Sequence, residues 1–309
     1  MKINNIVITG RMFQEVQTIL EKEIVGKNFR FLSESEVTEN DLGWADAFVS
    51  FRPSPIFELS HLKWVHSFGA GVDSFLYKRE WDERVLLTRT ICSFGQKIGE
   101  YCLSYILREL QCHQKFNHLK KCRVWEPIAP KFLHEQTVII YGTGVIGQEI
   151  ARLFTTLNMT VYGVSLSGAK KDFFRKVYPI TGQPPLTTAN FVINTLPLTG
   201  STFHIFNGHI FNSLSETIFI NVGRGATVSD DALVTALDKG NVKHAVLDVF
   251  SEEPLSLSNP YWERKDVTLT PHISALTSPE EAVTCFIETL NKIENGKRIE
   301  NKVDVKRGF

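Results

Sequence analysis

Short apolar runs alternate with polar-studded stretches of helical period along most of this chain. Runs rich in β-branched and aromatic residues at Ile6–Thr9, Phe29–Leu32, Ala47–Phe51, Trp64–Phe68 and Val85–Arg89 read as strands. Between them, Phe13–Ile24 and Pro55–Ser60 read as helices. The pattern predicts a first α/β unit of about a hundred residues, an ordinary domain size. Gly99–Gln114 has apolar residues at Tyr101, Cys102, Tyr105, Ile106 and Leu110, a helical spacing with no proline, and is expected to lead from one domain to the next. Trp125–Gln136 holds Pro127 and Pro130 and reads as an irregular connection. A second series of strands is predicted at Thr137–Tyr141, Thr160–Ser165, Phe191–Thr195, Ile218–Val222, Ala245–Val249 and Val267–Leu269. The last helix, Ser278–Asn295, has Ser278 as N-cap, Pro279 at its first position and Glu280 and Glu281 facing the N-terminal dipole. It is expected to return to the first domain. Such alternation is the layout of parallel sheets covered by helices.

Composition narrows the class. A chain of 309 residues with 43% hydrophobic content can bury two cores. Lys plus Arg number 34 and Asp plus Glu number 34, so there is no electrostatic footprint for nucleic acid or an anionic membrane, and neither is expected as a partner. No apolar run is long enough to span a bilayer and the first ten residues lack a signal-peptide layout, so the cytoplasm is the expected compartment. Five cysteines, an odd number without tight pairs, fit that compartment. No Cys-x-x-Cys or His cluster suggests a metal.

The strongest local motif is the turn Gly142-Thr143-Gly144-Val145-Ile146-Gly147, which follows the strand Thr137–Tyr141 and opens a helical stretch. In that context the first glycine permits a tight turn, the second lets backbone approach a pyrophosphate and the third lets helix pack on strand. With six strands in the second series, this predicts a doubly wound sheet that binds a dinucleotide. The next strand ends Gly163-Val164-Ser165-Leu166-Ser167-Gly168, without the acid that usually holds an NAD ribose. Ser165, Ser167 and the nearby Lys170 and Lys171 tilt the expectation toward NADP over NAD.

Three further stretches, NVGRG at Asn221–Gly225, DVFSEEPL at Asp248–Leu255 and TPHIS at Thr270–Ser274, supply Arg224, Glu253 and His272. Taken singly, each residue type is usually a solvated surface group. Position favours chemistry: Arg224 and His272 follow apolar strand-like runs, and ligands of open parallel sheets lie beyond the carboxyl ends of strands. Arg224 offers a planar fork for a carboxylate, His272 a proton near working pH, and Glu253 a partner that would fix the imidazole tautomer and favour its protonated form. Together they suit reduction of a ketone beside a carboxylate.

These three stretches, the glycine turn, Asn194–Thr199 and the loop Trp64–Asp73 resemble the D-isomer-specific 2-hydroxyacid dehydrogenases over nearly the whole chain. The resemblance implies two doubly wound parallel-sheet domains. One is a flavodoxin-like substrate domain of residues 1–97 and 278–309, the other a Rossmann NAD(P)-binding domain of residues 98–277. It implies Arg224 as the carboxylate anchor, Glu253 as the histidine's partner and His272 as the general acid/base in a cleft between the domains. It also implies that Leu196, Pro197, Thr202, Val222, Gly223, Asp248 and Ser274 line the cofactor, with Asp248 near the nicotinamide amide. Phe68, Gly69, Ala70 and Gly71 would present backbone to the substrate carboxylate. Arg52 is a candidate second anion contact, against the plainer reading of a surface arginine shaping a turn. A small 2-keto acid substrate, glyoxylate or hydroxypyruvate among them, and a homodimer through the cofactor domains are implied as well. Retention of Glu253 argues against formate oxidation, whose enzymes replace it. The stretch Gly168–Asn190 is rich in Pro and Gly and too short for the helix the family often carries there. The alternative is a protein of the same fold that senses NAD(H) for a partner, with little turnover.

Overall fold

Two units emerge from a computed structural model that describes all 309 residues: Met1–Cys92 with Thr277–Phe309, and Ser93–Leu276. The first contains β1 (Asn5–Thr9), α1 (Phe13–Glu23), β2 (Asn28–Leu32), α2 (Glu39–Trp44), β3 (Ala47–Ser50), β4 (Trp64–Ser67), α3 (Asp73–Leu76) and β5 (Leu86–Arg89). Its five strands are all parallel in the order β2-β1-β3-β4-β5, the flavodoxin-like winding. β3 and β4 are buried at every position, as strands covered on both faces must be. The C-terminal helix Pro279–Glu294 belongs to this unit, where Ala282, Val283, Phe286, Leu290 and Ile293 join Ile3, Ile6, Val16, Leu20 and Trp64 in one core. Phe286 stacks on Trp64 with ring centroids 5.3 Å apart. Ser278 starts that helix with a full capping box to Glu281.

Pro55–Ser60 is not a helix. The span makes only turn bonds, Phe57 N to Ser54 O and Leu62 N to Leu59 O, and no side chain caps its start, since Ser54 Oγ has no hydrogen-bond partner, so a run this short does not offset helix nucleation. Two helices of this unit that the pattern did not indicate are present, the short α3 and α2, which is set by a Thr38–Asp41 capping box.

The second unit holds α4 (Phe94–Leu110), α5 (His113–Cys122), β6 (Thr137–Tyr141), α6 (Val145–Thr156), β7 (Thr160–Ser165), β8 (Lys176–Pro179), β9 (Phe191–Asn194), α7 (Gly208–Phe211), β10 (Thr217–Asn221), α8 (Asp230–Asp238), β11 (Val242–Leu247) and β12 (Val267–Leu269). Strand order is β12-β11-β10-β9-β6-β7-β8, all parallel, with the winding reversed between β6 and β9. This is a Rossmann sheet with seven strands where the sequence pattern indicated six. The extra strand, β8, is a short edge ending at Pro179, which an edge tolerates, and no helix lies between β7 and β8.

The expected helix Gly99–Gln114 also divides differently. α4 begins five residues earlier, and Cys112 in the left-handed region separates it from α5. Gly95 and Gly99, which weaken a helix by propensity, are packing residues: a Cβ at Gly95 would lie 2.6 Å from Glu149 Cβ of α6. The helices interlock there. No helix in the chain is long and apolar enough to cross a membrane, and α9 (Pro279–Glu294), already described, completes the elements.

Candidate active site and cofactor turn

The carboxyl ends of β6, β7, β9, β10, β11 and β12 carry nearly all the residues singled out above. Gly142–Gly147 forms the turn from β6 into α6 at the switch point of the sheet. Its three glycines differ in their surroundings. Gly142 has φ +100° and a Cβ there would meet Thr195 Oγ1 at 2.4 Å, while a Cβ on Gly147 would sit 1.9 Å from the Gly142 carbonyl oxygen. Gly144 has nothing within 4 Å. Two glycines are thus required by packing, and the third opens onto space at the N-terminus of a twelve-residue helix, where an anion is favoured. A dinucleotide's pyrophosphate fits that opening.

Ser165 ends β7, and its hydroxyl accepts the Gly168 N–H at 3.2 Å. Ser167 accepts that of Ala169 at 3.3 Å. No carboxylate stands in this turn, and Lys170 and Lys171 behind it are exposed. After β9, Leu196 and Pro197 begin a loop closed by Thr202, whose hydroxyl donates to Pro197 O at 2.6 Å. Val222 and Gly223 follow β10, and Asp248 and Ser274 follow β11 and β12.

Arg224 is positioned by a buried amide network. Asn194 and Asn221, paired across β9 and β10, are linked by a 2.8 Å side-chain bond, and Asn194 also donates to Thr227 Oγ1 at 2.7 Å. Thr227 donates to the Arg224 carbonyl at 2.6 Å. The Arg224 side chain is half-buried and its Nη1 donates to Gly223 O at 2.7 Å. On either side of Arg224 the loop is pressed against its neighbours. A Cβ on Gly223 would lie 2.7 Å from Leu196 O, and one on Gly225 only 1.8 Å from the Phe250 carbonyl carbon.

Glu253 and His272 meet directly. His272 Nδ1 lies 2.8 Å from Glu253 Oε2, and the other carboxylate oxygen accepts the Phe250 N–H at 2.9 Å. Partial burial opposes the charge on Glu253, but the bonds from His272 and Phe250 and the positive Arg224 outweigh it and hold the carboxyl below its usual range. With Nδ1 turned to the carboxylate, Nε2 is the ring atom available to a substrate. The imidazole is about half exposed, at 48% of its side chain. His272 has φ +53°, a conformation that a non-glycine residue holds only when its surroundings impose it. Asp248 imposes it: its carbonyl accepts the His272 N–H at 2.8 Å, and its fully buried carboxylate accepts from Ile273 N at 2.8 Å and Ser274 N at 2.9 Å.

The first unit contains the remaining candidates. The loop after β4 buries Phe68 against Phe51 at 5.7 Å between ring centroids, Ser67 Oγ accepts the Gly69 N–H and donates to Gly71 O, and Arg89 donates to Ala70 O. Arg52 is paired with Glu34 at 2.7 Å and its side chain is 67% exposed, the geometry of a surface arginine shaping a turn.

A Rossmann sheet with a glycine turn at its switch point and an Arg, Glu and His set beyond three neighbouring strands has the make-up of a nicotinamide-dependent oxidoreductase. The family profile described as "D-isomer specific 2-hydroxyacid dehydrogenase, NAD binding domain" matches residues 103–274. The chain therefore belongs to the D-isomer specific 2-hydroxyacid dehydrogenase family, and it is an NAD(P)-dependent enzyme of that kind. It is 32% identical over 303 residues to glyoxylate/hydroxypyruvate reductase A of Klebsiella pneumoniae, covering 94% of each chain. Among solved structures it is similar to a D-isomer specific 2-hydroxyacid dehydrogenase of Xanthobacter autotrophicus in complex with NADPH and MES, at 26% identity, TM-score 0.89 and full coverage of both chains. It is likewise similar to an NADPH-dependent glyoxylate/hydroxypyruvate reductase of Sinorhizobium meliloti in complex with NADP and sulfate, at 28% identity, TM-score 0.85 and full coverage of both.

Proposed function

We propose that the protein reduces small 2-keto acids, glyoxylate and hydroxypyruvate first among them, to the D-2-hydroxy acids, with NADPH preferred over NADH. The observation that carries this reading is the 2.8 Å bond from His272 Nδ1 to a carboxylate kept ionised beside Arg224. Arg224 binds the substrate carboxylate through two parallel N–H bonds, which fixes the ketone's orientation. His272 donates a proton from Nε2 to the ketone oxygen as negative charge develops there. Glu253, bonded to Nδ1, holds the ring in the orientation and tautomer that this requires. A bound reduced nicotinamide supplies the hydride; Gly142–Gly147, Leu196, Pro197, Thr202, Val222, Gly223 and Ser274 are the residues that would hold it.

Preference for NADPH is supported by the serine turn after β7, which lacks the acid that would repel a 2′-phosphate, and by the relatives bound to NADP and NADPH. Homodimer formation through the cofactor-binding unit is supported by α5, which has no buried residue, and by the fully exposed Trp125 beyond it. A panel of 2-keto acids tested with both reduced cofactors decides the reading. Turnover of glyoxylate and hydroxypyruvate with NADPH is expected; tight nucleotide binding without turnover of any keto acid would overturn it in favour of a nucleotide sensor.

A further inference from the structure

His272 stands in a left-handed backbone conformation on an exposed loop, so something must hold it for the chemistry to be reproducible. The Asp248 carboxylate is the centre of that hold, but it is itself oriented by a third bond. Thr270 Oγ1 donates to Asp248 Oδ1 at 2.5 Å. Thr270 has one hydroxyl hydrogen, which is thereby committed. Tyr101 OH lies 2.7 Å from the same Thr270 oxygen and must therefore be the donor of that pair. The result is a one-way chain, Tyr101 O–H to Thr270 O–H to Asp248 carboxylate, and the carboxylate then accepts the amides on the far side of His272.

Tyr101 is well suited to a fixed donor. It lies on α4, which is keyed into α6 by Gly95 and Gly99, and its ring packs on Tyr105 at 4.9 Å between centroids. Burial, together with the nearby Asp248 charge, pushes its phenol far above the usual value despite the bond to Thr270, so it keeps its hydrogen at any working pH. Farther along, α4 grips the same edge of the sheet again: Arg108 Nη1 donates to Thr268 Oγ1 at 3.2 Å, and Glu109 pairs with Lys243. The helix is a splint along β12, the strand that delivers His272.

We propose that Tyr101 and Thr270 are positioning residues for the reduction, acting through Asp248 to hold the His272 loop in its reactive conformation. Neither residue is expected to touch substrate. The proposal rests on His272 being the proton donor, so the His272→Gln variant accompanies the test.

Thr270→Val removes the hydroxyl and keeps the shape, Thr270→Ser restores the hydroxyl, and Tyr101→Phe removes the outer donor. In glyoxylate reduction with NADPH, Thr270→Val should lower kcat by about ten- to a hundredfold, the cost of displacing a catalytic group by a fraction of an ångström to an ångström. Its KM and NADPH affinity, the latter read by fluorescence titration, should stay within about threefold. Thr270→Ser should recover turnover to within about threefold, and Tyr101→Phe should lower kcat by a smaller factor in the same direction. Amide hydrogen exchange at Ile273 and Ser274 should quicken about tenfold or more in Thr270→Val, with exchange in β10 and β11 unchanged, because only the loop is released. Wild-type kcat in Thr270→Val, or a loss that Thr270→Ser fails to recover, overturns the proposal. If His272→Gln keeps wild-type turnover, the reading of His272 fails and the inference falls with it. If His272→Gln is inactive while Thr270→Val is not, the inference alone fails.

Discussion

Replacing Gly225 with alanine adds one carbon where two backbones already touch. That carbon would stand 1.8 Å from the Phe250 carbonyl carbon, 2.2 Å from its oxygen and 2.3 Å from the Ser251 nitrogen, against the 3.4 Å at which ordinary contact begins. None of the three atoms belongs to a side chain that can rotate away. The loops after β10 and β11 must then part by about 1.5 Å in some direction. Arg224 precedes Gly225 directly, and the Phe250 N–H holds Glu253 at 2.9 Å, so the two charged groups are carried apart. A displacement of about 1 Å in a reacting geometry can cost about 10²-fold in rate. Overpacking of this kind destabilises by roughly 1–3 kcal/mol, a fraction of the roughly 5–15 kcal/mol of an ordinary domain, so the variant should fold. Steady-state reduction of glyoxylate with NADPH, the NADPH dissociation constant and a thermal melt separate the possibilities. A large fall in kcat/KM with NADPH affinity kept is expected. A Gly225→Ala enzyme with kcat/KM within about threefold of wild type would refute the claim that this backbone contact sets the site.

Three more outcomes follow from the same geometry. Arg224→Lys replaces a planar fork by a point charge and should raise KM for the keto acid about tenfold or more while leaving NADPH affinity unchanged; an unchanged KM would remove Arg224 from carboxylate binding. Gly144→Ala, whose new carbon meets no protein atom within 4 Å, should leave the melting temperature within a few degrees but weaken NADPH binding, and unaltered binding would show that the pyrophosphate lies elsewhere. His66, fully buried with Nδ1 2.7 Å from Thr88 Oγ1, is pushed down by burial from 6.5 to about 3. Between those values the unfolded chain takes up a proton that the folded one refuses, so stability present at pH 7 is lost as pH falls below 6.5, by up to about 1.4 kcal/mol per pH unit. Denaturant midpoints between pH 7 and 5, above the window where carboxylates protonate, should fall in wild type. They should fall less in His66→Leu, where the His66 contribution is gone and that of the half-buried His244, also pushed down by burial, remains; equal slopes would refute the assignment.

Local signals carried much of this reading. The glycine turn, the order of strands and the three charged residues were visible because each is written in consecutive residues: an apolar run, then a turn, then a polar group. Pro55–Ser60 misled because a helix-compatible stretch lies where the chain has room only for two turns. β8 went unseen because four residues of an edge strand with one buried side chain, Val177, leave almost no pattern. Asn194 and Asn221 could have been noticed as amides closing two apolar strands, a costly placement unless each amide is bonded. Tyr101 and Thr270 could not. They are 169 positions apart, Tyr101 looks like any apolar member of a helix stripe, and only the packing of α4 on the sheet gives its hydroxyl a partner.

Arg224, Glu253 and His272 follow β10, β11 and β12, which are neighbours in the sheet in that same order. The strand ends from which their loops spring are therefore spaced by the ladder of hydrogen bonds between parallel strands, about 4.8 Å per step, and not by the length of chain that joins them. The crossovers, α8 and the turns around Pro260, can lengthen, shorten or change composition without altering that ruler. Apart from the positions that clamp the loops, Gly225, Thr227, Asp248, Phe250 and Thr270, the connecting sequence is free to drift, while a single slip in strand register would move one of the three past the other two.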